Sequence, residues 1–191
     1  KKLSYQNYGL IPVLSLRTIH LEDPFNSFIK RSFDVFFSLL VIIFLLSWLT
    51  PIIATLIKLS SKGPVFFTQK RNGFNFIEFN CYKFRSMKIN KEANTAQAIK
   101  NDYRVTSLGK ILRKLSIDEL PQFLNVLKGD MSIVGPRPHM TDHTKHYSKE
   151  VQNFMQRHKC LPGITGWAQV NGLRGPTEEE GSMKKRFQHD L

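Results

Sequence analysis

The stretch VFFSLLVIIFLLSWLTPIIATLI, residues 35–57, runs 23 residues without a charged side chain. At 1.5 Å per residue that is roughly 35 Å of helix, enough to reach across the hydrocarbon core of a bilayer. It lies too far from the N-terminus, is too long and lacks the small-residue cleavage site of a secretory signal, so it reads as a membrane anchor. Pro51, which follows Thr50 in mid-segment, has no backbone donor and is expected to kink or break the helix there. Lys30 and Arg31 flank the entry, and Lys58, Lys62, Lys70 and Arg71 flank the exit. The positive-inside rule wants both ends on the cytoplasmic face. A helix bent at Thr50 and Pro51 that dips into one leaflet and returns satisfies both ends, with Ser47 and Thr50 placed to satisfy freed backbone groups. The plainer alternative is a kinked span with basic residues on both sides.

Charge points the same way. The chain carries 28 Lys plus Arg against 15 Asp plus Glu, a formal net charge of +13, so its partners are expected to be anionic. Charge cannot by itself choose among nucleic acid, anionic lipid headgroups and phosphorylated small molecules. The long apolar segment disfavours nucleic acid, as does the scatter of basic residues among apolar and aromatic ones, in place of a tail or a single recognition helix. Cys81 and Cys160 have no CxxC spacing and no companion pair, which indicates neither a disulfide framework nor a cysteine zinc site and suggests a reducing compartment. His139, His143 and His146 would share one helical face, but no carboxylate completes a metal shell, and a solvated face is the better reading.

The chemistry is concentrated in SIDELPQ, residues 116–122, where the adjacent carboxylates Asp118 and Glu119 stand among segments carrying Lys83, Arg85, Arg113 and Arg137. The cations could hold a polyanionic substrate while one carboxylate attacks phosphorus and the other helps to hold a divalent cation. The competing reading is structural: Ser116 followed three residues later by Glu119 fits a helix capping box.

Around these features the chain reads as a linker over residues 1–29, a re-entrant membrane helix over 30–59 and a single modest domain over 60–191. PVFFTQ and FIEFNCYKF, separated by the turn signal Arg71, Asn72 and Gly73, predict a β-hairpin. A short polar helix is expected over 92–99, a longer one interrupted by Pro121 over 108–127, and another over 140–159. GDMSIVGPRPH is expected to be loop, and residues 161–175 turn-rich.

Taken in order, KRSFD, IKLSSKGPVFFTQKRNG, KFRSM, NDYRVTSLGKILRKLSIDELPQFLNVLKGDMSIVGPRPH and RHKCLPGITGWAQVNGLRG resemble the landmarks of the monotopic bacterial polyprenyl-phosphate phosphoglycosyl transferases, often called bacterial sugar transferases. The resemblance covers nearly everything from Lys30 onward. It implies an α+β, predominantly helical monotopic membrane protein, with a helix broken at Pro51 and a small catalytic domain on the cytoplasmic face of the bacterial inner membrane. It implies transfer of a sugar 1-phosphate from a UDP-sugar to undecaprenyl phosphate, with release of UMP, at the start of exopolysaccharide or other surface-glycan synthesis. Asp118 would be the nucleophile that forms an aspartyl phosphosugar, Glu119 would assist, and the pair would contact Mg2+. Lys83, Arg85, Arg113, Arg137 and Arg157 would bind phosphate. Arg104 and Arg174 stay open between ion pairing and substrate contact. Such proteins continue beyond the position of Leu191, so the catalytic unit is expected to be truncated here, and residues 1–29 resemble a linker from upstream domains. A different class of reading is a catalytically silent, membrane-tethered binder of nucleotide sugar or anionic lipid, against which the intact Asp118, Glu119 and Arg137 count. The sequence leaves the sugar and any homo-oligomer open.

Overall fold

The computed structural model describes residues 3–8, 11–16, 23–90, 102–138 and 159–173, together with 185, 189 and 190. The chain divides into compact units at residues 1–33 and 34–191. In the first, β1 (Leu3–Tyr8) and β2 (Ile11–Leu16) form an antiparallel hairpin, with Leu3 opposite Leu16 and Tyr8 opposite Ile11. The helices expected over 92–99 and 140–159, and the three histidines, fall on or almost wholly on residues outside the described set.

Helix α1 (Pro24–Val41) starts six residues before the expected boundary. Asp23 fixes that start, accepting a hydrogen bond from the Phe25 N–H at 3.0 Å, while Pro24 stands at the first helical position, where its missing donor costs nothing. A single π-helical turn (Ile42–Leu46) follows, and α2 (Ser47–Ser60) continues, giving 37 helical residues from Pro24 to Ser60. The helix therefore does not end at Thr50 and Pro51; Pro51 lies inside α2, and the irregular turn falls one turn earlier. Side chains near it cover backbone carbonyls: Ser47 Oγ donates to Ile43 O, Trp48 Nε1 to Phe44 O at 2.8 Å, and Thr55 Oγ1 to Pro51 O at 2.9 Å.

The π turn has a packing reason. From Asp34 and Ser38 the buried stripe continues through Ile42, Leu46, Leu49, Ile53 and Ile57. An unbroken α-helix starting at Asp34 would carry that stripe along positions near 38, 41, 45, 48, 52 and 56. One inserted residue rotates the later positions by about 100° and brings Leu46, Ile53 and Ile57 back onto the same face. That face packs on Phe84, Leu112 and Phe123. The rest of the helix is bare, with Phe36, Phe44, Trp48, Ile52 and Leu59 all exposed. Only 17% of its most apolar window is buried, where the core helix of a soluble protein would be mostly covered. One long apolar helix with an uncovered face makes this a membrane-associated α+β protein in which helix outweighs strand.

The hairpin expected after the helix is present as β3 (Phe66–Asn72) and β4 (Glu78–Phe84). The strand runs on through Arg71 and Asn72, so the turn lies at 73–77. Phe66 and Phe84 stack across it with ring centroids 5.4 Å apart. The helix expected over 108–127 with an interruption at Pro121 is α3 (Ser107–Lys114), a 3-10 turn (Ile117–Glu119) and, directly after Pro121, α4 (Gln122–Lys128), so the break begins earlier than Pro121 alone implies. Asn125 binds α4 to β4: it accepts from the Tyr82 N–H at 3.0 Å and donates to the Asn80 carbonyl at 2.8 Å. Two short strands, β5 (Ser132–Val134) and β6 (Gly163–Thr165), pair in parallel where loop and turns were expected, and α5 (Trp167–Val170) follows. Gly135 and Gly163 permit this pairing, since a Cβ on either would strike the other's backbone.

Candidate active site

The two carboxylates are presented by a break in helix. Ser116 adopts the left-handed conformation (φ 57°), which stops α3 and opens the 3-10 turn that carries Asp118 and Glu119. Its side chain makes no cap, so the capping-box reading of Ser116 fails; the capping residue is Thr106, whose Oγ1 accepts from the Gly109 N–H at 2.9 Å at the start of α3. Pro121 then leads into α4, and the turn sits between two helices and the end of β4.

Glu119 is locked. Its Oε1 accepts from Lys83 Nζ at 2.7 Å and from Arg137 Nη2 at 2.7 Å, and its Oε2 accepts from Arg137 Nη1 at 3.2 Å. Burial alone would raise its pKa, but the charges and hydrogen bonds of Lys83 and Arg137 outweigh burial and hold it well below the usual carboxylate range. Asp118 is the opposite case. It is buried and has no hydrogen bond to another described residue. Burial pushes its pKa up, against the pull of Lys83, Arg113 and Arg137 and with the help of the Glu119 charge. Two neighbours in one turn are thus shifted in opposite directions, Glu119 towards the anion and Asp118 towards the neutral acid.

Arg113 is aimed by Ser86, whose Oγ accepts from Arg113 Nε at 2.9 Å. Ser86 in turn accepts the Thr106 N–H at its carbonyl, and the absence of a side chain at Gly109 lets α3 lie directly on that carbonyl. Arg71, treated in the sequence only as a flanking charge, belongs to the cluster. Arg71, Gln69 and Phe67 lie opposite Phe79, Cys81 and Lys83, so strand alternation puts Arg71 on the same face of the hairpin as Lys83. Its Nη1 donates to the Pro138 carbonyl at 2.9 Å, steadying the Gly135–Pro138 loop, and its Nη2 donates to Gln69 Oε1 at 2.7 Å. Burial lowers its pKa, partly offset by Cys81 and Glu119. The hairpin register would have revealed it; composition could not.

Five of the predicted residues, Asp118, Glu119, Lys83, Arg113 and Arg137, therefore act on one centre. Arg85 is placed elsewhere. Its Nη1 donates to the Lys62 carbonyl at 3.0 Å and its Nη2 to the Ser61 carbonyl at 2.6 Å, so its guanidinium caps the end of α2. Arg157 and Arg174 lie outside the described residues. Arg104 pairs with Asp102 at 2.7 Å in a buried fork, a structural task. No group of three or more His, Cys, Asp or Glu side chains with metal-binding geometry occurs among the described residues. Asp118 and Glu119 could hold Mg2+, which takes one or two carboxylates together with substrate phosphates: among the described residues the Asp118 side chain has no hydrogen-bond partner and Glu119 Oε2 accepts one bond.

The buried carboxylate pair thus stands among four cations, Lys83, Arg71, Arg113 and Arg137, an arrangement with the charge to receive an anionic group. The profile of the bacterial sugar transferase family matches residues 25–191, and the chain belongs to that family. It is 49% identical over 192 residues to a UDP-glucose:undecaprenyl-phosphate glucose-1-phosphate transferase of Xanthomonas campestris pv. campestris, covering 98% of this chain and 39% of that protein. A UDP-N-acetylgalactosamine-undecaprenyl-phosphate N-acetylgalactosaminephosphotransferase of Aeromonas hydrophila is 46% identical over 90% of this chain and 40% of its own length. The exopolysaccharide production protein PSS of Rhizobium leguminosarum bv. phaseoli is 46% identical over 85% of this chain and 84% of its own length. The chain thus spans about two fifths of the length of the first two relatives.

Proposed function

We propose that this protein transfers a sugar 1-phosphate from a UDP-sugar to undecaprenyl phosphate at the inner membrane, beginning a surface glycan such as an exopolysaccharide. The observation that carries the reading is the contrast between Glu119, fixed by Lys83 and Arg137, and Asp118, buried beside it without a hydrogen-bond partner among the described residues. In the first step an Asp118 oxygen attacks the sugar-bearing phosphorus; the P–O bond to UMP breaks, and UMP leaves with the electron pair. In the second, an oxygen of the lipid phosphate attacks that phosphorus, the bond to Asp118 breaks, and the carboxylate returns. Lys83, Arg113 and Arg137 neutralise charge on the transferring phosphoryl group in a site poor in water. Mg2+ held by Asp118 and Glu119 would supply further charge neutralisation.

The monotopic arrangement is supported by how the apolar helix is tied. Asp34 near one end accepts from the Ile133 N–H, and Arg85 caps the other end, so both ends are fastened to one small domain. A helix crossing the bilayer would have to send those attachments to opposite faces. A re-entrant path, bent around the π turn and Pro51, keeps both on the cytoplasmic face, where UDP-sugars are found.

The test is UMP release from the protein in nanodiscs with Mg2+, undecaprenyl phosphate and a panel of UDP-sugars, UDP-glucose first. Release that needs the lipid beyond the first equivalent, selects a sugar and disappears in Asp118→Asn is expected. Lipid-independent or undiminished release in that variant would overturn the covalent role of Asp118.

A further inference from the structure

Glu119 is held by two cations that arrive from separate segments, and each segment is fastened to a different end of the membrane helix. Lys83 stands one residue before the end of β4, and two residues on Arg85 grips the Ser61 and Lys62 carbonyls, adding a cation where the helix dipole is negative. Arg137 follows β5, and four residues earlier the Ile133 N–H donates to Asp34 Oδ1 at 3.1 Å. Asp34 is 1% exposed, a carboxylate at the head of the charge-free run 35–57 that burial would penalise heavily without hydrogen bonds. One turn on, Phe37 meets Phe123, four residues past Glu119, with ring centroids 6.2 Å apart. Gly63, at φ 130°, lies against the Arg85 guanidinium, where a side chain would collide with it.

We propose that Asp34 and Arg85 are positioning residues that latch the two cation-bearing segments to opposite ends of the membrane helix, and so set the height of the carboxylate site above the lipid. Neither touches the reacting atoms. Glu119 keeps Lys83 and Arg137 together when a latch is lost, so chemistry with the soluble donor survives, while delivery of the phosphosugar to a lipid phosphate at fixed depth fails. This rests on the proposed function and gives Arg85 a task other than phosphate binding.

The experiment separates the two half-reactions in nanodiscs: exchange of labelled UMP into UDP-sugar without lipid, and transfer to undecaprenyl phosphate. Asp34→Ala and Arg85→Gln are expected to lower kcat/KM for the lipid on the order of tenfold or more, with exchange kept within about twofold. Asp34→Asn, which retains an acceptor oxygen, and Arg85→Lys, which retains a cation at the helix end, restore most of the lipid step. Amide hydrogen exchange supplies a readout independent of activity: Ile133 loses protection in Asp34→Ala and keeps it in Asp34→Asn. Equal loss of both half-reactions, collapse of exchange alone in Arg85→Gln, or unchanged Ile133 protection in Asp34→Ala would overturn the latch. Absence of both half-reactions in the unaltered protein would instead overturn the proposed function, and the Ile133 measurement would still decide whether the latch exists.

Discussion

Neutralising the two adjacent carboxylates is expected to move stability in opposite directions. In Glu119→Gln, Lys83 and Arg137 lose their shared anion. Breaking a buried pair costs about 3–5 kcal/mol. The Glu119 and Lys83 side chains are only 16% and 17% exposed, which argues for a cost of that order, whereas Arg137 at 39% is screened by solvent, and the glutamine amide keeps one acceptor. A loss of about 2 kcal/mol is the discounted estimate. For a chain of this size that lowers the midpoint of thermal unfolding by about 4–8 °C. Asp118→Asn removes a charge that burial disfavours, so it raises the midpoint at neutral pH while abolishing transfer. The pH dependences follow from the shifts. Glu119 has a depressed pKa, so its stabilisation is present above the ordinary 4.5 and is lost as pH falls below it towards the folded value. Asp118 has a raised pKa, so its destabilisation is present above the folded value and vanishes as pH falls through it to the ordinary 3.8. Scanning calorimetry in nanodiscs at one scan rate, carried from pH 7 to well below the ordinary 3.8 and 4.5, reads both. A Glu119→Gln protein as stable as the unaltered one at pH 7, or an Asp118→Asn protein less stable, would refute this division.

Three further substitutions probe the supports. Ser86→Ala removes the acceptor that aims Arg113 Nε, and a fall of about fivefold in kcat/KM for the UDP-sugar, matching roughly 1 kcal/mol, should appear in UMP-release kinetics with little change in lipid KM. Gly109→Ala drives a methyl group into the Ser86 backbone and pushes α3 off the end of β4; a lower unfolding midpoint together with reduced activity is expected, both measured on the same preparation. Asn125→Ala strands the Tyr82 N–H and the Asn80 carbonyl in the interior, and about 2–4 kcal/mol of stability should be lost by denaturant titration.

Much of this architecture was legible because strong local signals carried it. A charge-free run of 23 residues can hardly be anything but an apolar helix, and aromatic strands around Asn72 and Gly73 announce a hairpin. The misplaced features are those set by tertiary packing. Pro51 suggested the break, but the π turn arises upstream because the buried stripe must stay in phase with Phe84, Leu112 and Phe123, which no local residue encodes. Serine and glutamate at capping-box spacing failed because Ser116 is forced into the left-handed region to aim two carboxylates, and a site then overrides local propensity. β5 has only three residues and pairs with a strand just over thirty positions later, Ser132 opposite Gly163, so nothing nearby marks it. Lys83 and Arg85, two apart, would share a face if β4 continued. Pairing ends at Phe84, and Arg85 leaves the strand for the helix end.

Charge balance explains why this cluster suits a two-step transfer. Four cations, Lys83, Arg71, Arg113 and Arg137, act together with two carboxylates, Asp118 and Glu119, which leaves an excess of two positive charges when Asp118 is ionised. A diphosphate carrying about two negative charges is drawn to that excess, which a bound Mg2+ would enlarge, while a neutral sugar would not be. In the proposed reaction, departing UMP carries two negative charges away, and the phosphosugar left on Asp118 replaces the carboxylate charge with one of its own. The excess of two is thereby restored, ready for a lipid phosphate of about the same charge as the donor it follows. Glu119 makes this possible by remaining ionised throughout. Without it Lys83 and Arg137 would face each other with no anion between them, so in the proposed reaction the locked member of the pair is the one that would keep the site reusable.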